Sequence, residues 1–114
     1  MQFIVIGKDG VDPGAMDRRL AARDAHLKLG DEMEAAGTRW YGAAILDEQG
    51  RMIGSMAVMD FPSEIELHEW LKREPYVTGD VWRSVEVHRC NVKNPWKFNR
   101  PKEFFEKRGY EKLC

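Results

Sequence analysis

At 114 residues the chain is one domain with room for a modest core. Hydrophobic residues make up 43% and charged residues 32%, a folded balance that excludes a disordered chain. A formal net charge of −1 gives no electrostatic footing for nucleic acid or an anionic membrane, and apolar runs of about five residues fall far short of the ~20 that span a bilayer.

The opening "MQFIVIGKDG" has neither the basic start nor the small-residue cleavage site of a signal peptide, so a cytoplasmic, reducing setting is expected. Within it, "QFIVIG" (2–7) is apolar on both parities, which predicts a strand central in its sheet. "KDGVDPG" (8–14) is a turn. A helix follows from Ala15 to Ala36, and Gly37 stands where a left-handed residue closes it. "TRWYGAAIL" (38–46) and "RMIGSMAVMD" (51–60) read as strands joined by the hairpin loop "DEQG". Ser63 with Glu66 forms the pattern of a capping box, opening a second helix "EIELHEWLK". "REPYVTGD" (73–80) breaks that helix at Pro75, and "VWRSVEVHRCNV" (81–92) is the fourth strand.

The order β-α-β-β-α-β predicts an α+β, ferredoxin-like fold: a four-stranded antiparallel sheet with both helices on one face. The other face is then bare, and Trp40, Met52, Met56 and Trp82 are assigned to it. An apolar face of that size implies a homodimer. Residues 93–114 are different in kind, basic and aromatic with two prolines and one short helix, "PKEFFEKRG". This extension is expected to pack on the body or on a partner subunit. An RNA-stacking role is disfavoured because no basic groove accompanies it.

One position in the first helix stands out. At 100° per residue, Ala15, Ala22, Leu29 and Met33 share a stripe, and His26 lies near its centre with Arg19 and Arg23 beside it. The plain reading is a core histidine satisfied by one hydrogen bond, with arginines reaching water over their aliphatic stems.

Three segments carry a resemblance. "RRLAARDAHL" resembles the helical R-x-x-H-L pattern of the YCII-related family; Gly54–Ser55 is similar to that family's "GS" in the third strand; "REPYVTGDVW" resembles its D-P-Y/F-V segment before the last strand. The resemblance covers about residues 1 to 92. It implies a ferredoxin-like fold dimerised into an α+β barrel, and an active site centred on a histidine and an aspartate. Here those positions carry His26 and Glu74, the glutamate adding a methylene. Ser55 and Tyr76 match positions near the same cleft, and Arg19 and Arg23 match the helical arginines. One branch of the family is linked to dehydrochlorination of a chlorinated hydroxyquinol, and fold relatives include muconolactone isomerases.

The implied chemistry is proton abstraction by a neutral imidazole at His26, with Glu74 fixing its tautomer. Arg19 or Arg23 would hold an anionic oxygen, and Ser55 or Tyr76 would donate to it. Each has a structural alternative: Glu74 a solvated loop carboxylate, Tyr76 a packing ring, Ser55 a small residue that eases packing. The first function is a small homodimeric lyase or isomerase acting on a cyclic or carboxylated substrate. The second is a catalytically silent dimer that binds a small ligand or a protein. The third is a cofactor-free oxygenase walled by Trp40 and Trp82. No metal and no cofactor is implied. His88 and Cys90 share a strand face but lack a third ligand, His68 sits among solvated glutamates, and haem enters only by analogy of fold. Cys90 and Cys114 make neither a disulfide framework nor a CxxC site.

Overall fold

The computed structural model describes residues 1–109. Four strands, β1 (Gln2–Asp9), β2 (Arg39–Leu46), β3 (Met52–Asp60) and β4 (Trp82–Cys90), form one sheet in the order β2-β3-β1-β4. Every neighbouring pair is antiparallel. The helices are α1 (Ala15–Ala36), α2 (Glu64–Leu71), the single turn α3 (Pro75–Thr78) and α4 (Lys102–Glu106), with a 3₁₀ turn at Pro95–Lys97. This is the α+β, ferredoxin-like architecture expected from the order of elements. Expectations that fall on residues 110–114, Cys114 among them, lie outside the described residues.

The boundaries follow local chemistry. Gly37 closes α1 at φ +82°, and its N–H and that of Thr38 return to the last carbonyls of the helix. The β2–β3 hairpin is set by Asp47, whose carboxylate accepts from the backbone of Gln49 and Arg51, with Gly50 at φ +79°. Two local readings need correction. Ser63 and Glu66 do not form a reciprocal capping box: the serine hydroxyl donates to the Glu66 carboxylate and caps no backbone N–H. Pro75 does more than break α2. With φ already fixed, it is the first residue of α3, and Glu74 becomes that turn's N-cap.

The layer between helices and sheet changes character from one end to the other. β1 sends Phe3, Val5, Gly7 and Asp9 toward the helices, and β3 sends Met59, Ala57 and Ser55 opposite the first three. The inward stripe of α1 runs Met33, Gly30, His26, Arg19. All three elements turn from apolar to polar in the same direction. At one end Phe3, Val5, Met33, Ala57, Met59, Phe61, Leu67 and Trp70 form the main core, each large side chain stabilising the fold by roughly 1.5–3 kcal/mol on burial. At the other, Tyr76, Val81 and Trp82 form a smaller cluster around buried polar groups.

Trp82 belongs to that cluster and not to the bare sheet face. The cause is a register shift at the end of β1: Lys8 pairs with Ser84, but Asp9 pairs with Trp82. The bulge breaks the period-two alternation and turns the indole toward the helices. Trp40 sits at a second bulge, between Arg39 and Tyr41, and donates to the Gly37 carbonyl. Arg39 is level with Met59 and Phe3, six positions along β1 from Asp9, so Trp40 and Trp82 are about 20 Å apart along the sheet. They make no common aromatic wall.

On the bare face Ile4, Ile6, Met56 and Val58 are half-buried and Tyr41 is exposed. Tyr41 reaches the carbonyl of Pro95 at 3.5 Å. In the extension, Phe98, Phe104 and Phe105 pack edge to face on one another, with the Arg108 guanidinium 3.5 Å from the Phe104 centroid. Trp96 and Phe98 face outward.

Candidate functional site

Five of the six residues singled out in the sequence meet at the polar end of the helix–sheet layer. His26 comes from the middle of α1, Arg19 from two turns earlier, Ser55 from β3, Glu74 from the N-cap of α3 and Tyr76 from α3 itself. Arg23 is half-buried one turn beyond Arg19.

His26 is held on three sides. Its Nδ1 makes a short hydrogen bond with Oε1 of Glu74. The same carboxylate oxygen accepts the N–H of Tyr76 at 3.2 Å, the capping bond of α3. A helix cap thus aims the carboxylate at the imidazole, and the extra methylene of glutamate is taken up within a one-turn helix. The imidazole lies flat on the Tyr76 ring, with centroids 3.8 Å apart and planes 10° from parallel, and meets Trp82 edge-on at 6.1 Å. His26 and Glu74 are each about 1% exposed and Tyr76 is fully buried.

Beside this pair lies a second polar unit. Arg19, fully buried, donates Nη1 to both oxygens of Asp9 at 3.0 Å and Nη2 to Ser55 Oγ at 3.0 Å. Its guanidinium carbon stands 4.8 Å over the Tyr76 ring, so one aromatic ring separates the arginine from the histidine. Ser55 Oγ also receives the indole N–H of Trp82 at 3.3 Å. With both acceptor positions used, the serine keeps its own O–H for donation. Burial pushes the Asp9 carboxyl above its ordinary range, while the charge and hydrogen bonds of Arg19 pull it back.

Asp9 was not singled out in the sequence, although the signal was there. It continues the inward parity Phe3, Val5, Gly7 to a position where a carboxylate needs a partner. Trp82 was read on the wrong face because no sequence pattern marks the bulge. Gly7 is its counterpart: a Cβ there would lie 2.2 Å from Trp82 Cδ2, so the indole occupies the space a side chain would fill.

His68 and His88 stay outside the site, exposed and beside Glu64 and Glu86. No cluster of three or more metal-ligating His, Cys, Asp or Glu side chains occurs among the described residues, and no helix there is long and apolar enough to cross a membrane.

A buried polar pair of this kind at the polar end of a ferredoxin-like layer invites comparison with known proteins. The chain is similar in structure to the 5-chloro-2-hydroxyhydroquinone dehydrochlorinase TftG from Burkholderia phenoliruptrix AC1100, solved in complex with 2,5-dihydroxybenzoquinone. The TM-score is 0.70 and the identity 23%, over 82% of this chain and 96% of that one. It is also similar to Rv0793 from Mycobacterium tuberculosis, at TM-score 0.56 and 17% identity, over 82% of this chain and 99% of that one. At these identities the likeness is one of fold. No curated protein matches the chain. The model of the YCII-related domain matches residues 1–91, about four-fifths of the sequence, and the chain belongs to the YCII-related domain family.

Proposed function

We propose that this protein is a small enzyme of lyase or isomerase type in which His26, oriented by Glu74, moves a proton on a small cyclic or carboxylated substrate. The observation that carries the reading is the His26–Glu74 hydrogen bond, buried and aimed by the cap of α3. A carboxylate on Nδ1 fixes the tautomer with Nε2 as the base and stabilises the imidazolium once the proton has moved. In such a step a ring hydroxyl, or a C–H bond next to a carbonyl, gives its proton to Nε2, and the electron pair is left on the oxygen as a phenolate or an enolate. The Ser55 hydroxyl, polarised by Arg19 and Trp82, is the donor for that oxygen. Return of the electrons then expels a leaving group, which is a lyase outcome, or takes a proton at another atom, which is an isomerase outcome. Dehydrochlorination, the activity in the name of the TftG neighbour, is of the first kind: on a chlorinated triphenol the ring carbon bearing chlorine takes a proton, and loss of a second hydroxyl proton then expels chloride and leaves a hydroxyquinone.

Chloride release from 5-chloro-2-hydroxyhydroquinone is the direct test. The parent is expected to release chloride, and His26→Asn to lose at least about a hundredfold in rate while remaining folded, as removal of a positioned base does. Equal rates in the two proteins would reject the histidine as base.

The second reading, a silent ligand-binding dimer, is favoured by one observation. His26, Glu74, Tyr76 and Arg19 are all at or below about 1% exposure, so a ligand must displace a ring to touch the imidazole. Binding of 2,5-dihydroxybenzoquinone with no chloride release from the chlorinated analogue would support it.

A further inference from the structure

A cleft of about 640 Å³ opens between the β1–α1 turn and the start of β3, next to the buried cluster. Val11, Met16, Ile45, Met52 and Ile53 give it apolar walls, and Asp9 lies at its inner side. The Asp9 side chain is 5% exposed, and its partner Arg19 stands behind it in the protein interior. The cleft and the His26 site therefore share one ion pair.

The charges on the wall decide what fits. Lys8 is paired with Glu86 at 3.1 Å, and Arg51 with Asp47 at 2.9 Å. Asp12 is bound by Arg18 at 2.7 Å. Both cations of the wall are thus engaged, and an incoming carboxylate would face the buried Asp9 as well. Asp9 itself has capacity left, because a carboxylate accepts about four hydrogen bonds and Arg19 supplies one to each oxygen. Poorly solvated, that carboxylate gains more from a further donor than one in water would.

We propose that this cleft binds small neutral cyclic molecules through their apolar faces, with a ligand hydroxyl donating to Asp9. The cleft adjoins the His26 site through the Asp9–Arg19 pair but is not lined by His26, Glu74, Ser55 or Tyr76, so the proposal goes beyond the enzyme reading and does not rest on it. Asp9 is then a specificity residue.

Phenol and benzoate are suitable probes. They share a ring, and at pH 7 phenol is neutral whereas benzoate is charged. Amide chemical shifts of the full chain are followed during titration with each. Phenol is expected to shift Gly10, Val11, Met16 and Gly54 saturably, with benzoate weaker by about tenfold, the worth of one hydrogen bond to a charged group. Asp9→Asn should weaken phenol by a similar factor. Ile53→Glu places a charge on the half-exposed outer wall, away from the ion pair, and should weaken phenol without disturbing the fold. Benzoate binding as tightly as phenol, an unaltered phenol affinity in Ile53→Glu, or no saturable shift in the parent would each overturn the proposal. The measurement reads binding alone, so it stands or falls separately from chloride release and its dependence on His26.

Discussion

The imidazole of His26 lies flat against the ring of Tyr76, 3.8 Å between centroids, while the backbone N–H of that same tyrosine binds the carboxylate that holds the imidazole. One residue of α3 therefore positions the histidine twice, through its ring and through its amide. The arrangement ties the orientation of His26 to whether a four-residue helix is formed.

Replacing Glu74 by glutamine tests the electrostatic half of that arrangement. The carboxylate favours the charged imidazole and the amide does not, so the titration midpoint of His26 should move down in Glu74→Gln. Followed by NMR, an unchanged midpoint would show that the two groups are not coupled in solution.

Arg19→Met removes the cation from beside a buried carboxylate and should cost about 3–5 kcal/mol, read as a lower urea midpoint at neutral pH. The double variant with Asp9→Asn should recover most of the loss, because no buried charge is then left alone. The sign of the pH dependence follows from Asp9. Its carboxyl is raised by burial, so its favourable contribution is whole below the unfolded value near 3.8 and is lost as pH rises through the folded value. Without Arg19 to pull that value back, the fall should extend further above the unfolded value, and be larger in total, than in the parent. Parallel profiles would contradict the pairing.

Gly7→Ala should displace the Trp82 indole, because the added Cβ would sit 2.2 Å from its ring. Overpacking of this kind costs about 1–3 kcal/mol. The Trp82 Nε1 bond to Ser55 would be strained with it, so tryptophan emission should shift along with stability. A variant as stable as the parent with unaltered emission would mean the glycine is not required by the indole.

The row Ile4, Ile6, Met56 and Val58 is only half covered in the single chain. A second copy laid sheet to sheet would cover it, so sedimentation equilibrium at micromolar concentration should return twice 13.2 kDa. A mass of one chain would remove the dimer from both functional readings.

Much of the fold was legible in order because its signals are local. The period of α1 and the glycine that ends it, the hairpin with Gly50, and the apolar runs of β1 and β3 act over a few residues and were read with bounds within a residue or two. The histidine among apolar neighbours was legible for the same reason, and the family pattern added Glu74, Ser55, Tyr76 and Arg19. What the chain order did not reveal depends on register and on distant contacts. A one-residue bulge at Lys8/Asp9 sends Trp82 to the helix side, and period-two reasoning fails across a bulge because the alternation restarts there. Asp9 became part of the site only when α1 brought Arg19 against it. The use of Glu74 Oε1 by both Tyr76 and His26 joins residues 48 apart in sequence, and only the packing of α3 on α1 decides it.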